Sequence, residues 1–200
     1  MDTRRHTKST GPVALPGHGR RRLARRDHLT GHHTDCAVGA EKEVTGTLTF
    51  GVGTAIDNKL DDARIVRLDQ RGYFTTVYDG VAYPDSYLDS GTMSDIVGGN
   101  TIPRCPRMPW ALCADPARAF AATMIGAGEE VPTSFAVGNY QAIGDQGLGA
   151  VGDAAIAADT GSRTFVWGAP YFLGKRIALV FDGMSVPGGT GQTGPFFAFR

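Results

Sequence analysis

Glycine and proline punctuate this chain so densely that no long helix can run through it. There are 28 glycines and 11 prolines among 200 residues, and glycine alone stands at twice its usual share of ~7%. In a helix interior a glycine costs about 1 kcal/mol relative to alanine and a proline about 3 kcal/mol. The pattern argues against a helical bundle and favours many short strands joined by turns. The length fits one large domain or a domain with an appendage. With 42% hydrophobic and 20% charged residues, the chain as a whole is globular rather than disordered.

The zero net charge hides an abrupt shift in composition. Residues 1–35 hold seven Arg and one Lys against Asp2, Asp27 and Asp35, a net of +5, which leaves −5 for the rest. All five histidines (His6, His18, His28, His32 and His33) sit there too. A segment so poor in apolar residues cannot bury enough surface to offset ordering entropy. We therefore expect residues 1–40 to be a disordered Arg/His-rich tail and residues 41–200 to be the folded domain. Three readings of the tail stay open: a basic arm for phosphates or acidic lipid, a metal site from His28, His32 and His33, or a leader with no part in the fold. No Cys or carboxylate at ligand spacing completes a metal set, and no aromatic residue interleaves the arginines for nucleic-acid stacking. The expectation is therefore no metal, no cofactor and no nucleic-acid partner. One form of the leader reading is that these codons are out of frame or upstream of the true gene. Arg20, Arg21, Arg22, Arg25 and Arg26 interrupt the place where a signal peptide would need an apolar run. Nowhere does the chain offer about 18 consecutive apolar residues, so no membrane span is expected.

The strand signal is a period of two. Val44, Gly46, Leu48 and Phe50 alternate with threonines, Arg64–Leu68 reads similarly, and Tyr73–Tyr78 is aromatic and β-branched. Asp79-Gly80 is a tight-turn pair, so residues 73–83 read as a hairpin. Ser134–Val137, Thr164–Trp167, Ile177–Phe181 and Phe196–Phe199 are further strand candidates. One helix is expected at Asp115–Ile125, with Asp115 as N-cap and Pro116 at the first helical position. Cys105 and Cys113 lie eight apart in a proline-rich stretch; this spacing suits a small disulfide-closed loop better than a metal or redox pair, the other reading being two reduced thiols. A disulfide there would imply an oxidising compartment.

The chemistry hangs on the string Tyr87-Leu88-Asp89-Ser90-Gly91-Thr92-Met93-Ser94-Asp95-Ile96-Val97. A strand ending in Asp, followed by small residues and a Gly, can present the carboxylate at a sharp turn where amides and hydroxyls donate to it. Asp-Ser-Gly is also ordinary turn chemistry, so context decides. Val166-Trp167-Gly168 follows Asp89 by 77 to 79 positions, and an apolar run then ends at Phe181-Asp182. In this order the chain resembles the C-terminal lobe of the pepsin-like aspartic peptidases, over about residues 44–200. It is most similar to a bacterial domain-of-unknown-function family that keeps this acid-protease pattern, including the Cys pair and an ending like Gly194-Pro195-Phe196-Phe197-Ala198-Phe199.

The resemblance implies an all-β, acid-protease-like lobe of short antiparallel strands with one or two short helices, preceded by the basic tail. It implies Asp89, Ser90, Gly91 and Thr92 as the catalytic string, with Val166, Trp167 and Gly168 as its structural counterpart. The second D-T-G-S string, Asp159-Thr160-Gly161-Ser162, follows alanine-rich sequence close to Gly168, where the family has a loop, and reads as that loop. The implied mechanism needs two carboxylates about 3 Å apart sharing one proton. The ionised one deprotonates water while the neutral one polarises the peptide carbonyl. Only Asp89 has the matching context. The expectation is a truncated lobe, inactive alone. The alternatives are an active endopeptidase formed as a homodimer or with a separate N-terminal lobe, acting on a peptide substrate, and a non-catalytic envelope binding module. Family resemblance also implies a periplasmic or secreted location. The absence of any histidine from residues 34–200 removes the usual side chain of serine-protease and His-ligated metal chemistry. Gly188–Gly194 lacks the Lys and the following helix of a phosphate loop and reads as a surface loop.

Overall fold

A computed structural model describes residues 40–41, 45–146, 150–187 and 191–200. The basic segment, its histidines, Cys36 and Val44 lie outside the described residues, as does part of the Gly188–Gly194 stretch. Within them the protein is all-β with two short helices. In chain order the elements are β1 (Ala40–Glu41), β2 (Arg64–Arg67), β3 (Phe74–Tyr78), β4 (Val81–Leu88), β5 (Asp95–Val97), β6 (Arg104–Cys105), β7 (Met108–Ile125), β8 (Glu130–Asn139), α1 (Tyr140–Asp145), β9 (Ala150–Val151), β10 (Ala155–Ala157), β11 (Val166–Trp167), α2 (Ala169–Phe172), β12 (Ile177–Val180) and β13 (Phe196–Phe199). No helix among the described residues is long and apolar enough to cross a membrane.

The expected hairpin is present. β3 and β4 pair antiparallel, Tyr78 opposite Val81, around Asp79 and Gly80, both with positive φ. This is the backbone that matches strand twist in a two-residue turn. The strand candidates at 64–68, 134–137, 177–181 and 196–199 fall on strands, and of 164–167 the second half, Val166–Trp167, does.

Two expectations fail. Asp115–Ile125 is the second half of the long strand β7, not a helix. Arg118–Ile125 pairs residue for residue with Val137–Glu130 of β8. Phe120, Ala122 and Met124 turn inward while Ala119 and Ala121 face out, a period of two that the alanines had disguised as helix preference. The stretch 45–50 forms no strand either. A strand needs a neighbour for its N–H and C=O groups, no described segment pairs with it, and Leu48 and Phe50 stand exposed.

The main sheet runs β10-β5-β11-β4-β3-β7-β6, with β8 on β7. β10 also meets β7 through Ile156 and Ala111, so the sheet curls back on itself and leaves fewer open edges. A second sheet, β12-β13-β2, is antiparallel. Between the two lies an aromatic core. Phe165 and Trp167 approach to 4.7 Å between ring centres, Trp167 and Tyr171 to 4.7 Å, and Tyr78 and Phe135 to 5.1 Å, mostly tilted or edge-on. Phe199 of β13 reaches Tyr171 at 5.9 Å and joins the second sheet to this cluster.

The buried indole of Trp167 donates from Nε1 to Thr76 Oγ1 of β3 at 2.9 Å, and both side chains are fully enclosed. Leaving either group without its partner costs its desolvation penalty, whereas removing both together costs less. Trp167→Phe is therefore expected to lower stability by about 1–3 kcal/mol in urea denaturation. Adding Thr76→Val to it should cost less than Thr76→Val costs alone. Strict additivity of the two changes would contradict the coupling.

Candidate functional site

Asp89 stands directly after β4, where the strand's last pairing, Leu88 with Trp167 of parallel β11, gives way to a turn. The turn is built from the residues the sequence singled out. Thr92 Oγ1 donates to Asp89 Oδ2 at 2.6 Å, Gly91 N–H donates to Oδ1 at 2.9 Å, and Thr92 N–H donates to the Asp89 carbonyl at 3.1 Å. The threonine hydroxyl, then the Gly91 amide, hold the Asp89 carboxyl below the ordinary carboxylate range against a smaller opposing effect of burial. It is a half-buried, oriented, acidic group. Ser90 is exposed and leaves the orienting bonds to Gly91 and Thr92.

The expected counterpart, Val166-Trp167-Gly168, lies against this turn. β11 is inserted between β4 and β5, parallel to the first and antiparallel to the second. Three successive residues at its end clasp the turn. The Trp167 carbonyl accepts from Asp89 N–H at 2.9 Å, Gly168 N–H donates to Asp95 Oδ1 at 2.8 Å, and Ala169 N–H donates to the Thr92 carbonyl at 2.7 Å. Gly168 is required here because a Cβ would run into the carbonyls of Ser94 and Thr92.

Asp95, at the start of β5, is a site residue that the sequence reading passed over. Its only signal was a charge heading an otherwise apolar strand, Asp95-Ile96-Val97. It is 1% exposed, and burial pushes its carboxyl up to about 7 in spite of the Gly168 amide and the Lys175 ammonium. Lys175 is itself pushed down by burial. Its Nζ donates to the Tyr171 carbonyl at 2.9 Å and lies 4.2 Å from the centre of that ring. No hydrogen bond joins Asp95 to Asp89 among the described residues, and Asp95 is sealed from solvent. It is therefore not the second carboxylate that a proton-sharing pair would need at the surface.

The remaining motifs separate from this site. Asp159-Thr160-Gly161-Ser162 is an exposed turn closed by Ser162 N–H donating to the Asp159 carbonyl at 3.0 Å, the loop its context implied. Cys105 and Cys113 form a disulfide that ties β6 to β7, and Asn139 beside it caps α1 by accepting from Ala142 N–H at 3.2 Å. Among the described residues no three His, Cys, Asp or Glu side chains gather as metal ligands would.

Because the folded carboxyl of Asp95 holds its proton to about 7 and an unfolded one ionises near 3.8, the folded state binds more protons between these values. Stability attributable to this group is thus highest at acid pH and falls as pH rises through that window. The gap between these values sets an upper limit of about 4 kcal/mol. Asp95→Asn, which keeps an oxygen for Gly168, is expected to gain stability over the parent at pH 8.5 and to differ little at pH 4.5 in chemical denaturation. An equal offset at both pH values would contradict this.

A family model described as "Protein of unknown function (DUF3443)" matches residues 33–199. No curated protein and no solved structure matches the chain.

Proposed function

This chain belongs to the DUF3443 family, and we propose that its residues 41–200 are an aspartic-peptidase-like lobe of an exported bacterial protein. The observation that carries the reading is the strand β11 threaded between β4 and β5, with Asp89 held at the turn it clasps. Such a turn fixes one carboxylate in the ionised form down to acid pH, which suits the member of an acid–base pair that deprotonates water.

The same geometry supports inactivity of the lobe alone. General acid catalysis at that pH needs a neutral carboxyl opposite the ionised one, and among the described residues none is hydrogen-bonded to Asp89. A partner must supply it: a second copy, placing one Asp89 against the other across a two-fold axis, or a separate N-terminal lobe. Leu48, Phe50, Ile56, Phe181 and Met184 are exposed, which leaves apolar surface for such a partner to cover. Peptide is the substrate class. The Cys105–Cys113 bond supports an oxidising compartment, the periplasm or the cell exterior. A lone carboxylate also favours a second reading, in which the lobe keeps its fold as a non-catalytic envelope binding module.

The test is acid-pH cleavage of a denatured protein substrate by fractions of defined oligomeric state. The monomer is expected to be inactive. Cleavage should appear only in a dimer or after addition of a complementary lobe, be blocked by pepstatin, and fall more than about 100-fold in Asp89→Asn. Pepstatin-sensitive cleavage by a monodisperse monomer would overturn the half-site reading. No cleavage and no pepstatin binding in any assembled form would leave the binding module.

A further inference from the structure

Asp95 contributes the one side chain in the clasp that holds Asp89. Of the three hydrogen bonds from the end of β11 and the start of α2, two are backbone to backbone, and only the Gly168 N–H is received by a side chain. The main chain of Asp95 is fixed independently. Its N–H donates to the Ala154 carbonyl at 3.0 Å, and β10 and β11 pair with β5 on its two sides, Ala155 opposite Asp95 and Val166 opposite Ile96. The carboxyl is therefore carried on a rigid strand, aimed at the amide of the residue whose neighbours hold Asp89 N–H and Thr92 O.

We propose that Asp95 is a positioning residue for Asp89, a buried latch that keeps the Asp89 turn clasped while it is protonated and releases it when it ionises. A neutral carboxyl accepts the Gly168 amide through one oxygen and stays dry. An ionised one, 1% exposed and with a single hydrogen bond from Gly168, has a large desolvation cost that opening the β5–β11 junction to water would relieve.

The surrounding charges set the range. Lys175, following α2, acts on Asp95 favourably, but its ammonium is committed to the Tyr171 carbonyl and ring. The Tyr171 phenol is raised by burial, and Arg64 of β2 bears on Lys175 and Tyr171 rather than on Asp95. Asp153, two residues before Ala155, has its carboxyl against Gly138 and is raised by burial. These groups leave the Asp95 carboxyl shifted up to about 7, so the latch would change state around neutrality and the turn would be held under acid conditions. The consequence for catalysis rests on the peptidase-like reading; the latch itself does not.

Amide hydrogen exchange on the full chain at pH 5.5 and 8.5, corrected for intrinsic rates, tests the proposal. The amides of Asp89, Gly168 and Ala169 are expected to lose at least tenfold in protection at the higher pH, while Val66 and Phe197 in the second sheet keep theirs. Asp95→Asn, which cannot ionise, should abolish the difference. Equal protection of the three amides at both pH values overturns the proposal, as does an unchanged loss in Asp95→Asn or an equal loss at Val66 and Phe197. Should Asp95→Asn not fold, the Gly168 amide shift of the parent protein decides: a titration centred between about pH 6 and 8 supports the latch, and a flat profile overturns it. Absence of peptidase activity would leave these outcomes untouched, and a flat Gly168 profile would leave the peptidase-like reading standing.

Discussion

The placement of β11 between β4 and β5 is the constraint on which the rest of this structure depends. β4 and β5 are close neighbours in the chain, whereas β11 comes from about seventy residues further on, and only one of the two pairings β11 makes is antiparallel. What holds it there is partly the ladder and partly Trp167, whose ring sits in the aromatic core while its N–H is taken by Thr76. A central strand of two residues has few ladder bonds of its own. Its side chain must supply much of the anchoring through burial, worth roughly 2–3 kcal/mol for a large apolar group. The next residue, Gly168, must be small enough for the Ser94 and Thr92 carbonyls to close over it. Fold and site therefore meet in three consecutive residues.

Two carboxylates six positions apart end in opposite electrostatic states for this reason. Asp89 lies at the rim of the clasp, where a hydroxyl and an amide donate to it, and stays acidic. Asp95 lies inside, where one amide and the Lys175 ammonium do not make good the water it has lost, and keeps its proton to about 7. Desolvation and hydrogen bonding to the charged form act on both groups, and the balance of depth against donors decides which prevails. The fold thus sets one group ionised and its neighbour neutral over the same range of pH, with no hydrogen bond between the two among the described residues.

Much of this was legible in the sequence. Alternation at Phe74–Tyr78 and the Asp79-Gly80 pair specified a hairpin, because a two-residue turn with positive φ has few sequence solutions. The Asp89–Thr92 string specified its own turn, since each bond within it is local. The link from Asp89 to Trp167 was carried by resemblance of motif order; no local rule would have found a pairing across that separation. Residues 115–125 misled because Asp-Pro followed by alanines reads as a helix start, while the partner strand that overrides this preference lies beyond the next turn. Residues 45–50 misled in the opposite sense: their alternation is real, but alternation without a neighbour makes no strand. Asp95 was invisible because burial is a tertiary property, and a single charge before Ile96 and Val97 looks like a strand end.

Asp89 stands as an oriented carboxylate, and among the described residues no second carboxyl is hydrogen-bonded to it to share its proton. A carbon-detected NMR titration of the Asp89 side-chain carboxyl in the monomer tests it most directly. A single transition below the ordinary carboxylate range, unchanged in shape when other acidic residues are neutralised, is the predicted result. A two-step titration, with one step raised well above that range, would mean that Asp89 shares its proton with a group in the same chain and would contradict the account.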